Sequence, residues 1–459
     1  MVKLLIRHGT ILSMDDRIGD LPRGDILIEG DRIADIAPSI ESADARIIDA
    51  SDRIVLPGLI NAHLHNWQTL LRGIGADWTA TDYDDVLHAQ LAPRYRPADL
   101  ATATLFGALS QLDAGTTTIF DWCHNSPTPD HTDVALDALE DSGIRAIFGH
   151  GTVKPDPKPG QPHYSQIPHP RGEIERLRKG RLASDDARVT LAMCILGSEY
   201  STLDVCRHDF ALAREFGLFS SAHVWGHPNR TVPGGYHTLA AEKLLSQDHN
   251  IVHGNYLEDD ELDVILGAGI SVTSAPAAEL RLRAREPLSG RVRRRGGTPS
   301  IGVDCNAFGC DRMLDALRFA LQAHRMFNNQ IAAQSQPTGA LPVSIKTREA
   351  LAWGTIDNAK ALRLDHRIGS LRPGKQADII IVRCDGMTVA PARDPAQALV
   401  NYAQNADIET VLVGGRFAKE GGRLTYKGVD KARGDADTVA ARLFASLPPD
   451  LRKRCALGP

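Results

Sequence analysis

Between Leu59 and Arg325, short apolar runs alternate with longer stretches of helical character, and this alternation constrains the fold more than any other feature. The runs are Leu59–Ala62, Thr116–Phe120, Arg145–Phe148, Val189–Leu196, Leu218–Ala222, Ile251–Val252, Ile270–Thr273 and Ile301–Val303. Helix-like segments accompany most of them: Ala101–Asp113, Asp133–Ser142, Leu203–Phe216, Asp259–Leu266 and Arg312–Arg325. Strand and helix in succession predict a parallel sheet, and eight such units predict an α/β fold closed as a (β/α)₈ TIM-like barrel. The first interval is long, so extra structure is expected between Trp67 and Pro97.

The chain ends read differently. Lys3–Ile6, Asp25–Glu29, Arg32–Ile36 and Arg46–Asp49 suit short strands, and Gly24–Gly30 alternates as a half-buried strand does. The same texture returns in Ala377–Arg383 and Glu409–Arg416. A small β-sandwich built from both ends is expected, residues 1–56 with 368–425, around a barrel of 57–367. A helical tail follows over 426–459.

With 459 residues the chain can bury a large core without disulfides or structural metals. A net charge of −5 argues against a nucleic-acid binder. No apolar run approaches the roughly 18–20 residues that cross a bilayer, and the N-terminus lacks a cleavage signal. The seven cysteines are odd in number and never spaced C-x-x-C, as expected of reduced thiols in a cytoplasmic protein. The expected partners are a small-molecule substrate and further copies of the chain, a dimer above all, with no nucleic acid and no membrane.

Chemistry begins at His63 and His65. On a strand, residues two apart face the same side, so both imidazoles can reach one ion. With 17 histidines, about 0.6 such pairs arise by chance, so spacing alone decides nothing. Position decides more. His223, His253 and Asp304 each end a predicted strand too, and barrel active sites lie at that end. Three histidines and a carboxylate suit one divalent transition metal, Zn²⁺ first and Fe²⁺ second. Such an ion lowers the pKa of bound water to near 7, and a neighbouring carboxylate takes the proton. That chemistry is hydrolysis of an electrophilic carbon. Asp304, the one carboxylate of the group, is the expected general base. No nucleophile elbow, P-loop, G-x-G-x-x-G or H-E-x-x-H competes.

Two loops stand apart. Lys154–Arg171 holds six prolines and follows the third strand candidate, so it either covers the barrel mouth or runs over the surface. Leu280–Gly297 holds seven arginines: a solvated face, an anionic-substrate contact or a subunit contact.

Pro57–His65 with Gln68–Gly73, Ala114–Asp121 and Ile368–Asp378 resemble motifs of the amidohydrolase superfamily. The branch is the one that holds cytosine and guanine deaminases, adenosylhomocysteine deaminases and triazine hydrolases. The resemblance spans residues 1 to about 425. It implies a metal-dependent hydrolase of C–N bonds in a small nitrogen-containing or heteroaromatic molecule. His63, His65, His223 and Asp304 become the ligands, and His253 lies beside the bound water or substrate. Binuclear relatives carry a carboxylated lysine after the fourth strand. Val189–Ser198 contains no lysine, which implies a mononuclear site.

One departure bears on mechanism. The deaminases carry H-x-x-E on the fifth strand, and its glutamate shuttles a proton to the ring. Here the sequence is His223-Val224-Trp225-Gly226. Three readings follow. Another group replaces it, with His227 or Glu279 as candidates. Or the leaving group needs little protonation, as in dehalogenation or carbamate and urea cleavage. Or the chain is a catalytically silent scaffold. Gly226→Glu would restore the group if Trp225 and His227 leave room. Trp67, Gln68 and His124 are candidate substrate contacts, and Trp225 is a candidate surface for stacking on a planar ring.

Overall fold

Eight parallel strands, hydrogen-bonded in chain order, form the expected barrel. They are β1 Leu59–Leu64, β2 Thr116–Cys123, β3 Arg145–Gly151, β4 Val189–Ile195, β5 Phe219–Val224, β6 His249–His253, β7 Ser271–Ser274 and β8 Ser300–Ile301. The computed structural model describes residues 3–155, 157–307, 309–336, 339, 341 and 343–455. Residues 1 and 2 of the expected sandwich and 456–459 of the expected tail lie outside the described residues.

Each apolar run became a strand because its residues are buried on both faces: every residue of β1, β2 and β3 is buried. Helices cover the outside, among them Pro97–Asp113, Pro129–Ser142, Leu203–Glu215, Asp259–Gly267 and Met313–Ser335. The segment after β1 carries the extra structure its length implied. A 3₁₀ turn, Asn66–Leu71, leads to a π-helical stretch, Tyr83–Leu91, over the C-terminal end of the barrel. Lys346–Arg363 forms two helices, Thr347–Trp353 and Ile356–Ala361, interrupted at Gly354-Thr355.

The barrel closes by an unusual route. β8 is only two residues long, and the seam to β1 is made beyond its end. Val303 and Asp304 both donate their N–H to the His63 carbonyl, at 3.1 and 3.0 Å, and His65 N–H donates to the Asp304 carbonyl at 2.9 Å. Gly302 makes this approach possible. A Cβ there would stand 2.7 Å from the His63 Cβ and 2.8 Å from its nitrogen.

Both chain ends contribute to one mixed sheet of nine strands among the described residues. Ile379–Arg383 pairs antiparallel with Arg53–Pro57 and so joins the two ends. Alternation decides which core each residue enters. Ile379 and Ile381 pack with Leu4, Ile6, Ile26 and Ile28 in the sheet's own core, while Ile380 and Val382 face the barrel's. Arg145 on β3 ties the two bodies by a bidentate ion pair to Asp378, at 2.8 and 3.0 Å. No helix of the described residues is long and apolar enough to cross a membrane.

Candidate metal centre

Strand ends bring the expected residues together. His63 lies on β1 and His65 just past it, His223 on β5, His253 at the end of β6, and Asp304 beyond β8. The Nε2 atoms of His63 and His65 each stand 3.2 Å from Asp304 Oδ1. His223 Nε2 stands 3.2 Å from His65 Nε2, and His253 Nε2 stands 3.9 Å from Asp304 Oδ2. Facing atoms of His63, His223, His253 and Asp304 all fall within 4.8 Å of one another.

The chemistry of this donor set fits a cation. His65 Nδ1 donates to the Trp122 carbonyl at 2.8 Å, so a neutral His65 presents a lone pair at Nε2. A lone pair aimed at a carboxylate oxygen and at another imidazole nitrogen is repulsive unless a positive charge lies among them. Separations of 3.2 Å match the edges, about 3.3 Å, of a tetrahedron with metal–nitrogen bonds of about 2.0–2.1 Å. Burial pulls His63 down to about 3, which keeps it neutral and free to ligate. Burial lowers His223 as well, and the neighbouring histidines add to the effect. Burial opposes ionisation of Asp304, but its close contacts with His63 and His65 outweigh it and hold the carboxylate well below its usual range.

The backbone is strained here and ordinary around it. His253 and Asp304 adopt φ of 75° and 67°, the left-handed region that side chains rarely enter. Such positions cost roughly 1–3 kcal/mol each and persist where surrounding structure imposes them.

His253 is held from two sides. Its Nδ1 lies 3.1 Å from Glu279 Oε1, and that oxygen also accepts the Ala275 N–H at 2.6 Å. Glu279 is fully buried, and its second oxygen has no hydrogen-bond partner. Trp225 stacks on the His253 ring, 3.9 Å between centroids and 7° from parallel. The Arg283 guanidinium sits 3.5 Å over the same indole. Two groups that size cannot share one face at those distances, so both faces of Trp225 are covered. A substrate ring could stack on Trp225, as the sequence leads one to expect, only by displacing one of these two groups.

The other candidate contacts divide. His124 lines the cavity, stacked 4.2 Å from His65. Trp67 lies behind it, buried, and donates Nε1–H to His124 Nδ1 at 2.9 Å. Gln68 is buried too and donates to the Tyr83 hydroxyl at 2.8 Å. Neither Trp67 nor Gln68 lines the cavity, because the turn after β1 carries both behind its wall. His227 is exposed and accepts the Asn229 N–H, away from the cavity.

Several lining residues escaped the sequence reading. Tyr83, Asp84 and His88 come from the π-helical stretch, Lys154 from the proline-rich loop, Tyr200 from the turn after β4, and Arg283 from the arginine-rich segment. No motif marks them. Lys154 and Arg283 alone had a signal, since each lies in one of the two loops singled out, one as a cover for the mouth and the other as a contact for an anionic substrate.

Gly226 closes off the missing glutamate. Its φ is +77°, and a Cβ there would stand 2.4 Å from Leu257 N and 2.7 Å from Leu257 Cα. The room that Gly226→Glu requires does not exist, and the obstacle is backbone, not the Trp225 or His227 side chain. That substitution should cost about 2–5 kcal/mol through overpacking and left-handed strain, measured by denaturant unfolding against the unmodified protein.

Comparison with known proteins agrees with this fold. A model of the amidohydrolase family matches residues 54–418. A 5-methylthioadenosine/S-adenosylhomocysteine deaminase of Symbiobacterium thermophilum is 27% identical over 92% of this chain and 94% of its own. The structure of an adenosine deaminase from Xanthomonas campestris with bound zinc superposes with a TM-score of 0.82 at 20% identity, covering 97% of this chain and 99% of that one. A variant of an atrazine chlorohydrolase from Arthrobacter aurescens, complexed with zinc and atraton, gives 0.80 at 21% identity, covering 95% and 100%.

Proposed function

Because the chain belongs to the amidohydrolase family, we propose that it is a metal-dependent hydrolase of C–N bonds in small heteroaromatic molecules, using one ion. We further propose that the His253–Glu279 pair does the proton work of the absent fifth-strand glutamate. The convergence of four imidazoles and Asp304 at strand ends carries the reading. Zinc, present in two of the related structures, is the first candidate, held by His63, His65, His223 and Asp304. When bound, a divalent ion supplies Lewis acidity and activates water at neutral pH.

The residues divide the remaining work. Asp304, ionised and facing the cavity, accepts a proton from the attacking water. His253 Nε2, 3.9 Å from Asp304 Oδ2, takes up that proton and, as an imidazolium stabilised by Glu279 behind it, delivers it to the departing nitrogen. Glu279 acts through His253 and is a positioning residue. Trp225 fixes the imidazole plane, which keeps Nδ1 toward Glu279 and Nε2 toward Asp304.

His253→Ala should retain its metal and lose about 10²–10⁴ in kcat, the usual weight of one acid–base group. Glu279→Gln should lose less and shift the pH profile of kcat, which a merely structural role would not do. Metal loss in His253→Ala would make that histidine a ligand. The substrate assay is ammonia release from a panel of aminated heterocycles, with 5′-modified adenosines first because a deaminase of such compounds is among the relatives. No release from any member would overturn the deaminase reading.

A second reading is favoured by Gly226. With backbone packed where a glutamate would stand, a leaving group that needs little protonation suits the site. Halide release from chlorinated rings, or amine release from carbamates and ureas, by a protein inactive on aminated rings would establish it.

A further inference from the structure

The seven arginines of the 280–297 segment do not share one role. Arg285, Arg291, Arg293, Arg294 and Arg295 each pair with a carboxylate. Arg281 donates to the carbonyls of Gly75, Ala76 and Trp78. Arg283 turns inward and lines the cavity in front of the metal centre. Its Nε is buried without a hydrogen-bond partner, its one hydrogen bond is to the adjacent Leu282 carbonyl, and no carboxylate lies within ion-pair distance among the described residues.

Lys154 repeats the pattern from the opposite loop. Its ammonium stands 3.7 Å over the Tyr200 ring on the same cavity, again with no carboxylate partner among the described residues. Burial draws it down to about 8, so it is still charged at neutral pH. The two platforms are joined, because Trp225 Nε1–H donates to the Tyr200 hydroxyl at 2.8 Å. One wall of the cavity is thus a pair of linked aromatic rings, each carrying a cation. Asp84 faces the same cavity and forms an ion pair with neither.

Asp84 offsets part of their charge at a distance, but partly desolvated cations with no carboxylate in contact remain incompletely neutralised, and cation–π contact makes up only part of the difference. Two of them on one wall, facing the reaction centre, describe a receptor for an anion. We propose that the substrate carries a carboxylate, met by Arg283 and Lys154, while its ring faces the histidine–aspartate cluster. A planar carboxylate matches the fork of a guanidinium, and the remaining N–H groups of Arg283 are free to form it. The proposal deepens the hydrolase reading and rests on it for the placement of the ring.

The test is calorimetric binding to the zinc-loaded protein with nicotinate and its neutral isostere nicotinamide as probes. Nicotinate should bind about tenfold more tightly, as charge-assisted hydrogen bonds provide. Arg283→Gln and Lys154→Gln should each erase about that factor for nicotinate and leave nicotinamide unchanged; two variants guard against one misfolding. Equal affinity for acid and amide, or nicotinate binding untouched by both substitutions, would overturn the proposal. Inorganic phosphate bound more tightly than nicotinate through the same two residues would overturn the choice of carboxylate. Turnover keeps the two readings separable. An acid preference with no hydrolysis of any heterocycle leaves the anion site and removes the hydrolase. Hydrolysis of neutral rings with no gain from a carboxylate does the reverse.

Discussion

Asp304→Asn should lower kcat by at least about 10⁴-fold, the upper range for a single acid–base group, because one side chain serves two purposes here. Both Nε2 atoms of His63 and His65 address its Oδ1, so in the proposed site the carboxylate completes the ligand set. Its Oδ2 faces His253 across the space where water must be deprotonated. Asparagine preserves shape and backbone, including the left-handed φ that asparagine tolerates better than most residues. It removes the charge that binds the ion and the site that takes the proton. Activity within tenfold of the unmodified enzyme would remove Asp304 from proton transfer.

Replacing His63 and His65 together by alanine should leave the protein without tightly bound metal and without activity. Elemental analysis of the purified variant decides this, with circular dichroism to show that the barrel persists. The ions should number about one per chain in the unmodified protein, since three imidazoles and one carboxylate suffice to hold a single ion and Val189–Ser198 offers no lysine to bridge a second. Two ions per chain at full occupancy would overturn the mononuclear reading.

The barrel was legible because parallel strands covered on both faces leave continuous apolar runs, and all eight appear within a few residues of their expected ends. The candidate metal centre was legible for a related reason. Strands deliver their last residues to one end of a barrel, so His63, His223, His253 and Asp304 could be grouped without knowing any distance. What the sequence could not convey depends on contacts between distant loops. Glu279 reads only as one of two candidates for the missing glutamate, and its hold on His253 appears only when β6 and β7 lie side by side. Trp225 reads as an exposed stacking surface, until Arg283 and His253 are found on its two faces. Arginine runs are normally solvated, and most of this one is paired on the surface. The single member that turns inward is set by the path of the loop, not by its neighbours in sequence.

The seam of the barrel carries a thermodynamic consequence. Its first and last strands meet through His63, His65 and Asp304, residues that also form the donor set, and His63 and Asp304 are 241 positions apart in the chain. An ion held by both ends therefore acts as a cross-link that closes the longest loop in the barrel, where closure entropy is greatest. Stripping the metal should loosen this seam before any other part. Hydrogen exchange of the Val303, Asp304 and His65 amides should accelerate in the chelated protein, while β2, β3 and β4 keep their protection. Metal loading and the last step of assembly would then be one event, and a chain that failed to acquire its ion would present an open sheet edge at β1.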